Sequence, residues 1–188
     1  MTNKTNQENL FFTHGGYRNL ESFKSATLVY DFTIEFCQKY INWKSRTKDQ
    51  MEQAARSGRQ NIAEGSKASG TSKKTEIKLT NVARASLEEL LLDYEDFLRQ
   101  NKLELWKKEN PKAKMVRNLV YDKNRSNLSY ATYLENSESA ANMIICLIHQ
   151  TNYLLDKQLQ KLSNEFMKQG GFTERLYQQR NKFRGNSF

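Results

Sequence analysis

The sequence is poor in residues that interrupt helices and in residues that build common active sites. It holds one proline and eight glycines in 188 residues, so long uninterrupted helices are the first expectation. Its two cysteines, Cys37 and Cys146, stand far apart without a CxxC, which makes neither a disulfide framework nor a zinc site. The two histidines, His14 and His149, lie in different regions with no HExxH or EF-hand spacing around them, and no metal or other cofactor is expected. No run approaches the ~20 consecutive apolar residues of a membrane span, and the first residues lack the basic, apolar and small-residue order of a signal peptide. A soluble cytoplasmic protein is the expectation.

What is present is enough for a core. Apolar residues make up 37% of the chain and aromatics 11%, with 10 Phe, 9 Tyr and 2 Trp, so the chain should fold despite its low hydropathy and its net charge of +9. The length fits one domain with tails.

Apolar spacing predicts four long helices. In the first, Leu20 to Ile41, one face carries Phe23, Ala26, Thr27, Tyr30, Ile34, Cys37 and Ile41, and a second face carries Val29, Phe32, Phe36 and Tyr40. A helix of a single bundle usually needs one such stripe, so the second predicts a subunit interface, with a wide intramolecular core as the alternative. In the second helix, Lys48 to Glu64, Thr47 and Gln50 have capping-box spacing, the stripe Met51, Ala54, Ala55, Gly58 and Ile62 is mostly small, and Gly65 takes the C-terminal glycine position. Ser72 is the expected N-cap of the third helix, Lys73 to Asn101, with Leu79, Ala83, Leu87, Leu90, Leu91, Tyr94, Phe97 and Leu98 on one face. Asn110-Pro111 predicts a short extra helix, Lys112 to Tyr121. Residues Asp122 to Glu135 read as irregular, the fourth long helix runs from Ser137 to Lys168, and Phe172 to Phe188 reads as a basic tail. The fold class is therefore all-α: a four-helix bundle over residues 20–170, with an insert at about 102–135, an N-terminal arm at 1–19 and a tail at 171–188.

The charge is local. Residues 44–84 carry +6 (10 basic against 4 acidic), 85–101 carry −4 (1 against 5) and 102–125 carry +5 (8 against 3). Any single lysine is most simply a solvated face. A cluster is different, because phosphate backbones reward it through counterion release without base-specific contacts. The candidate nucleic-acid-binding set is Arg56, Arg59, Lys67, Lys73, Lys74, Lys78 and Arg84, with Lys112, Lys114 and Arg117 as weaker candidates. Lys73 and Lys74 oppose the macrodipole in the first turn of the third helix and, with the N–H groups there, suggest an anion-binding end. Aromatic residues are not interleaved with these cations in sequence, so shape and charge should dominate over base recognition.

Catalytic motifs are weak. Gly65 to Ser72 has the glycine spacing of a phosphate loop, but Thr71 replaces its lysine and a helix precedes it. No nucleophile elbow or cysteine–histidine pairing is visible, carboxylates such as Glu64, Glu88 and Glu89 read as helix-surface charge, and the chain is expected not to be an enzyme. Cys37 reads as a small buried hydrophobe and His149 as a surface or boundary histidine.

A longer pattern is more specific. Gly15-Gly16-Tyr17-Arg18, Ser45-Arg46-Thr47-Lys48-Asp49-Gln50-Met51 and the run from Ala54 to Gly65 are followed by Ser69-Gly70-Thr71-Ser72, the run from Ile77 to Leu90, and Leu92-Asp93-Tyr94-Glu95-Asp96-Phe97-Leu98. Together, over about residues 15 to 106, they resemble the four-helix-bundle suffix proteins of bacteria. That family looks related to the intervening-sequence proteins encoded within large-subunit ribosomal RNA genes and to the accessory variability protein of diversity-generating retroelements. The resemblance implies a small helical bundle that assembles as a ring-like homopentamer and is not an enzyme. In the retroelement relative a basic surface binds nucleic acid and a reverse transcriptase. No binding residue carries over from the family, and the insert and the tail depart from a minimal bundle. The reading is a non-enzymatic, homo-oligomeric protein that binds structured RNA or RNA/DNA through phosphates, with a reverse transcriptase as the further partner that the resemblance implies. Its alternative is a protein-interaction or scaffold module whose basic faces meet acidic surfaces such as Glu88 to Asp96 of a neighbouring subunit.

Overall fold

The computed structural model describes residues 16–119 and 128–185, and every regular element among them is helical. A 3-10 turn at Tyr17–Asn19 leads into α1 (Glu21–Tyr40), followed by α2 (Arg46–Ala68), α3 (Lys73–Gln100) and α4 (Pro111–Leu119). After residues 120–127 come α5 (Leu128–Ala131), a 3-10 turn at Thr132–Glu135, α6 (Ser137–Gln169) and α7 (Phe172–Gly185). The long helices pack in a closed cycle, α1 on α2, α2 on α3, α3 on α6 and α6 back on α1, and α4 lies against α6. No helix among the described residues is long and apolar enough to cross a membrane.

Local signals set most boundaries. Ser72 caps α3 by accepting from Thr75 N at 3.1 Å, Asn136 caps α6 through Ser139 N at 2.8 Å, and Asn110 Oδ1 accepts from Lys112 N ahead of Pro111. α2 departs from expectation at both ends. Its N-cap is Ser45, whose hydroxyl accepts from Thr47 N at 3.2 Å, and the helix runs through Gly65 to Ala68. Gly65 is instead a crossing point, where an added Cβ would lie 3.3 Å from Glu76 O and from Leu79 Cβ. Gly58 is tighter, since a Cβ there would come within 2.8 Å of Leu87 Cγ. The small stripe of α2 thus lets α3 approach closely, and a shared hydrogen bond of 3.0 Å between Ser57 and Ser86 edges the contact.

The second apolar face of α1 belongs to the core. Val29 and Phe36 are fully buried and Phe32 nearly so. Phe36 meets the rings of Tyr94 and Phe97 edge-on at 5.0 and 4.9 Å, and Phe32 meets Tyr130 of α5 at 5.5 Å. The interface expected from this stripe is therefore corrected: α3 and the segment after residue 127, which is helical and not irregular, cover it, with Tyr40 Oη donating to Leu134 O at 2.7 Å. Phe23, Thr27, Tyr30 and Ile34 of α1 are half-buried, and Tyr30 meets Arg59 of α2. The insert is pinned to α6 by the buried Asn142, whose Oδ1 accepts from Trp106 N at 2.7 Å and whose Nδ2 donates to Glu104 O at 2.8 Å. The expected tail also contains a helix, α7.

Two substitutions probe this packing. Gly58→Ala gains about 1 kcal/mol of helix propensity but forces Leu87 out of place at a cost of about 1–3 kcal/mol, so chemical denaturation should show a net loss. Asp93 is held above the usual carboxylate range by burial, then by Glu89 and Asp96, and its Oδ2 meets no donor among the described residues. A raised carboxyl pKa means that stability falls as pH rises through it. Asp93→Asn should therefore unfold at a higher temperature than the parent at pH 7, with the gap closing toward pH 3.

Candidate nucleic-acid interface

The predicted cations separate into two groups by what surrounds them. Arg56 and Lys67 lie exposed on the outer face of α2, and Lys74 and Lys78 lie exposed on the outer face of α3. Among the described residues no carboxylate pairs with any of these four. The other three are engaged within the chain. Arg59 stacks its guanidinium 4.3 Å from the centre of the Tyr30 ring, and Arg84 pairs with Asp156 of α6 at 2.7 Å. The Lys73 side chain is 13% exposed and pairs with Glu76 at 3.1 Å and Glu165 at 3.7 Å.

Lys73 also changes the reading of the α3 N-terminus. Ser72 already accepts from Thr75 N, and the first turn contains its own carboxylate, Glu76. Burial pushes the Glu76 carboxyl above its ordinary range, and Lys73 pulls it back. A helix end occupied by its own cap and an acid is a poor phosphate seat, so the anion-binding end expected from Lys73 and Lys74 is not formed by this pair. The weaker candidates are occupied too. Lys112 sits 5.5 Å from the centre of the Trp106 ring, Lys114 pairs with Glu109 at 3.1 Å, and Arg117 donates to Lys108 O.

The fold adds aromatics that the sequence did not place. The turn after Gly16, whose φ of 134° suits glycine, seats Tyr17 edge-on against Phe23 at 4.8 Å. The Lys67 ammonium lies 5.9 Å from the Tyr17 ring centre and the Arg18 guanidinium 5.8 Å. Arg18 Nε donates to Tyr17 Oη at 3.5 Å, and that bond, the Arg18 charge and then Lys67 lower the phenol's pKa. Aromatics and cations are therefore interleaved in space, at Tyr17 with Lys67 and at Tyr30 with Arg59. Neither pair is close in sequence, and the only sequence signal for the first was the Gly-Gly-Tyr-Arg motif.

Other reactive groups are buried or scattered. Burial pushes the Cys37 thiol up to about 12 and raises that of Cys146, which removes thiolate character from both. His149 is exposed, and His14 lies outside the described residues. A shallow recess of about 510 Å³ between α2 and α3 is lined by Arg46, Asp49, Gln53, Ser57, Ser86 and Glu89. Its mixed charge does not select an anion.

Stability measurements should separate the two groups of cations. Lys73→Ala leaves Glu76 short of its nearest partner and should cost about 1 kcal/mol, whereas Lys74→Ala, on an open face, should stay within about 0.5 kcal/mol of the parent. No family model, no curated protein and no solved structure matches this chain.

Proposed function

We propose that this chain is a non-enzymatic, homo-oligomeric four-helix bundle of the suffix-protein type, which binds structured RNA or RNA/DNA through phosphate contacts and can serve beside a reverse transcriptase in the cytoplasm. The homopentameric ring implied by the resemblance is part of the proposal. The observation that carries the binding reading is the set Arg56, Lys67, Lys74 and Lys78, four exposed cations on neighbouring helices with no carboxylate of their own among the described residues. Their unbalanced charge is what a phosphate backbone rewards. Tyr17, with Lys67 and Arg18 beside it, adds a surface on which an unpaired base can stack.

Binding is testable by fluorescence anisotropy with an RNA hairpin between 50 and 200 mM salt. Four phosphate contacts give a slope of log affinity against log salt of about −3 to −4. The variant Arg56→Ala, Lys67→Ala, Lys74→Ala, Lys78→Ala should lose most of that slope while keeping its helical content. Absence of binding at 50 mM salt, or an unchanged slope in the variant, rejects the reading.

A further inference from the structure

The two tryptophans have opposite surroundings. Trp106 packs in the core and is 8% exposed, whereas Trp43, between α1 and α2, is 79% exposed. The turn that carries Trp43 is short and held: Ser45 N donates to Asn42 O at 2.8 Å, and Lys44 N donates to Asn42 Oδ1 at 2.9 Å. A held turn presents the indole without the ordering cost that a loose loop would meet on binding. The Lys44 ammonium lies over one face of the ring, 5.0 Å from its centre, and at this exposure the opposite face is open to solvent.

Unopposed cations gather at the same end of the bundle. Of the four basic residues in 39–48, Lys39 pairs with Glu35 and Lys48 with Glu52. Lys44 and Arg46 are exposed and pair with no carboxylate among the described residues. A third cation comes from α3. An added Cβ on Gly58 would meet Leu87 and one on Gly65 would meet Thr80, and Phe36 of α1 lies level with Phe97. Both registers, carried to the helix ends, bring Lys102 to the level of the α1–α2 turn. Lys102 has a φ of 57°, the left-handed position after a helix that glycine takes most easily, and Leu103 N closes on Leu98 O at 2.9 Å. It too is exposed and pairs with no carboxylate among the described residues. Asp49 and Glu138, in the first turns of α2 and α6, and Glu104 stand at this end as well. None of them pairs with Lys44, Arg46 or Lys102.

We propose that this end of the bundle binds an unpaired nucleotide of a single strand, its base stacked on the open face of Trp43 and its flanking phosphates met by Lys44, Arg46 and Lys102. An aromatic face among cations is the combination a single strand rewards, since every base has a face to stack and every linkage a charge to neutralise. An apolar protein surface seated on Trp43 would strip water from the three cations and return no anion. The place is distinct from the one at Tyr17. Lys67, which stands beside Tyr17, lies about 31 Å along α2 from Arg46, and Arg56 is exposed between them. The inference rests on the nucleic-acid part of the proposed function and is independent of the oligomeric part. Structured RNA lies on Arg56, Lys67, Lys74 and Lys78, and an unpaired segment continues to Trp43.

Tryptophan fluorescence of the full chain, titrated with a single-stranded uridine oligomer of about ten nucleotides at 50 mM salt, tests it, with circular dichroism to verify folding. Stacking should quench the emission, and Trp43→Phe, which leaves Trp106 alone, should abolish the change. By anisotropy, Trp43→Ala should weaken the oligomer by about fivefold or more. Lys102→Gly should weaken it too while raising the unfolding temperature, because it removes a charge and relieves the left-handed backbone. A loss of affinity beside a gain of stability separates a lost contact from a damaged fold. Unquenched emission on binding, or parent affinity in Trp43→Ala, overturns the inference, and the nucleic-acid reading survives it if the RNA hairpin still binds. Absence of binding by both oligomer and hairpin overturns the two together. A Trp43→Ala chain that keeps its affinity for the oligomer but changes its sedimentation assigns Trp43 to a contact between copies and overturns the inference likewise.

Discussion

Close approach of α2 to α3 is the constraint from which the surface follows. Gly58 and Gly65 remove the side chains that would hold the two helices apart, and Leu87 and Leu79 fill the space they leave. Away from this small buried stripe, α2 presents Arg56 and Lys67 to solvent. The same closeness turns the outer face of α3 away from α2 and leaves Lys74 and Lys78 in water at one end and Leu92 among carboxylates at the other. One packing contact thus determines which charges face outward, before any partner is considered.

Electrostatics then sort cations that look equivalent in sequence. Lys73 and Lys74 are neighbours, yet the first is half-buried between two carboxylates and the second is open. Arg59 and Arg56 differ in the same way, because three residues fall about 60° short of a full helical turn, which brings Arg59 against Tyr30 on α1. A cation already opposed by a carboxylate or an aromatic ring gains less from a phosphate than an unopposed one, since it must give up its partner first. The four unopposed residues therefore outweigh the seven as a description of the surface.

The helices were legible because proline and glycine are rare and the apolar residues keep a helical period. The caps at Ser72 and Asn110 were local and equally legible, while Gly65 misled because a glycine that permits a helix crossing looks the same in sequence as one that ends a helix. Phe32 and Phe36 misled for the converse reason: a second apolar stripe marks burial without naming what buries it, and their ring partners, Tyr130 for Phe32 and Tyr94 and Phe97 for Phe36, are far away in sequence. Of the candidate site, the location of charge was readable and its pairing was not. Asp156 and Glu165, which oppose Arg84 and Lys73, come from a helix that approaches only in three dimensions. The Tyr17 and Lys67 contact was hidden likewise.

The contact that closes the bundle joins its two most distant helices. Ser22 Oγ donates to Gln158 Oε1, and Ser25 shares a hydrogen bond with Thr151, across 136 and 126 residues. Helices α1, α2 and α3 can pair with their neighbours as they leave the ribosome, since each contact closes a short loop. The apolar side of α1 that faces α6 has no such early partner, and its cover is made late. During synthesis that face stays open to solvent for most of the time the chain takes to emerge. The order of the helices along the chain therefore sets a folding hazard, with an interval in which chaperones or a stray apolar surface compete for α1 before α6 arrives.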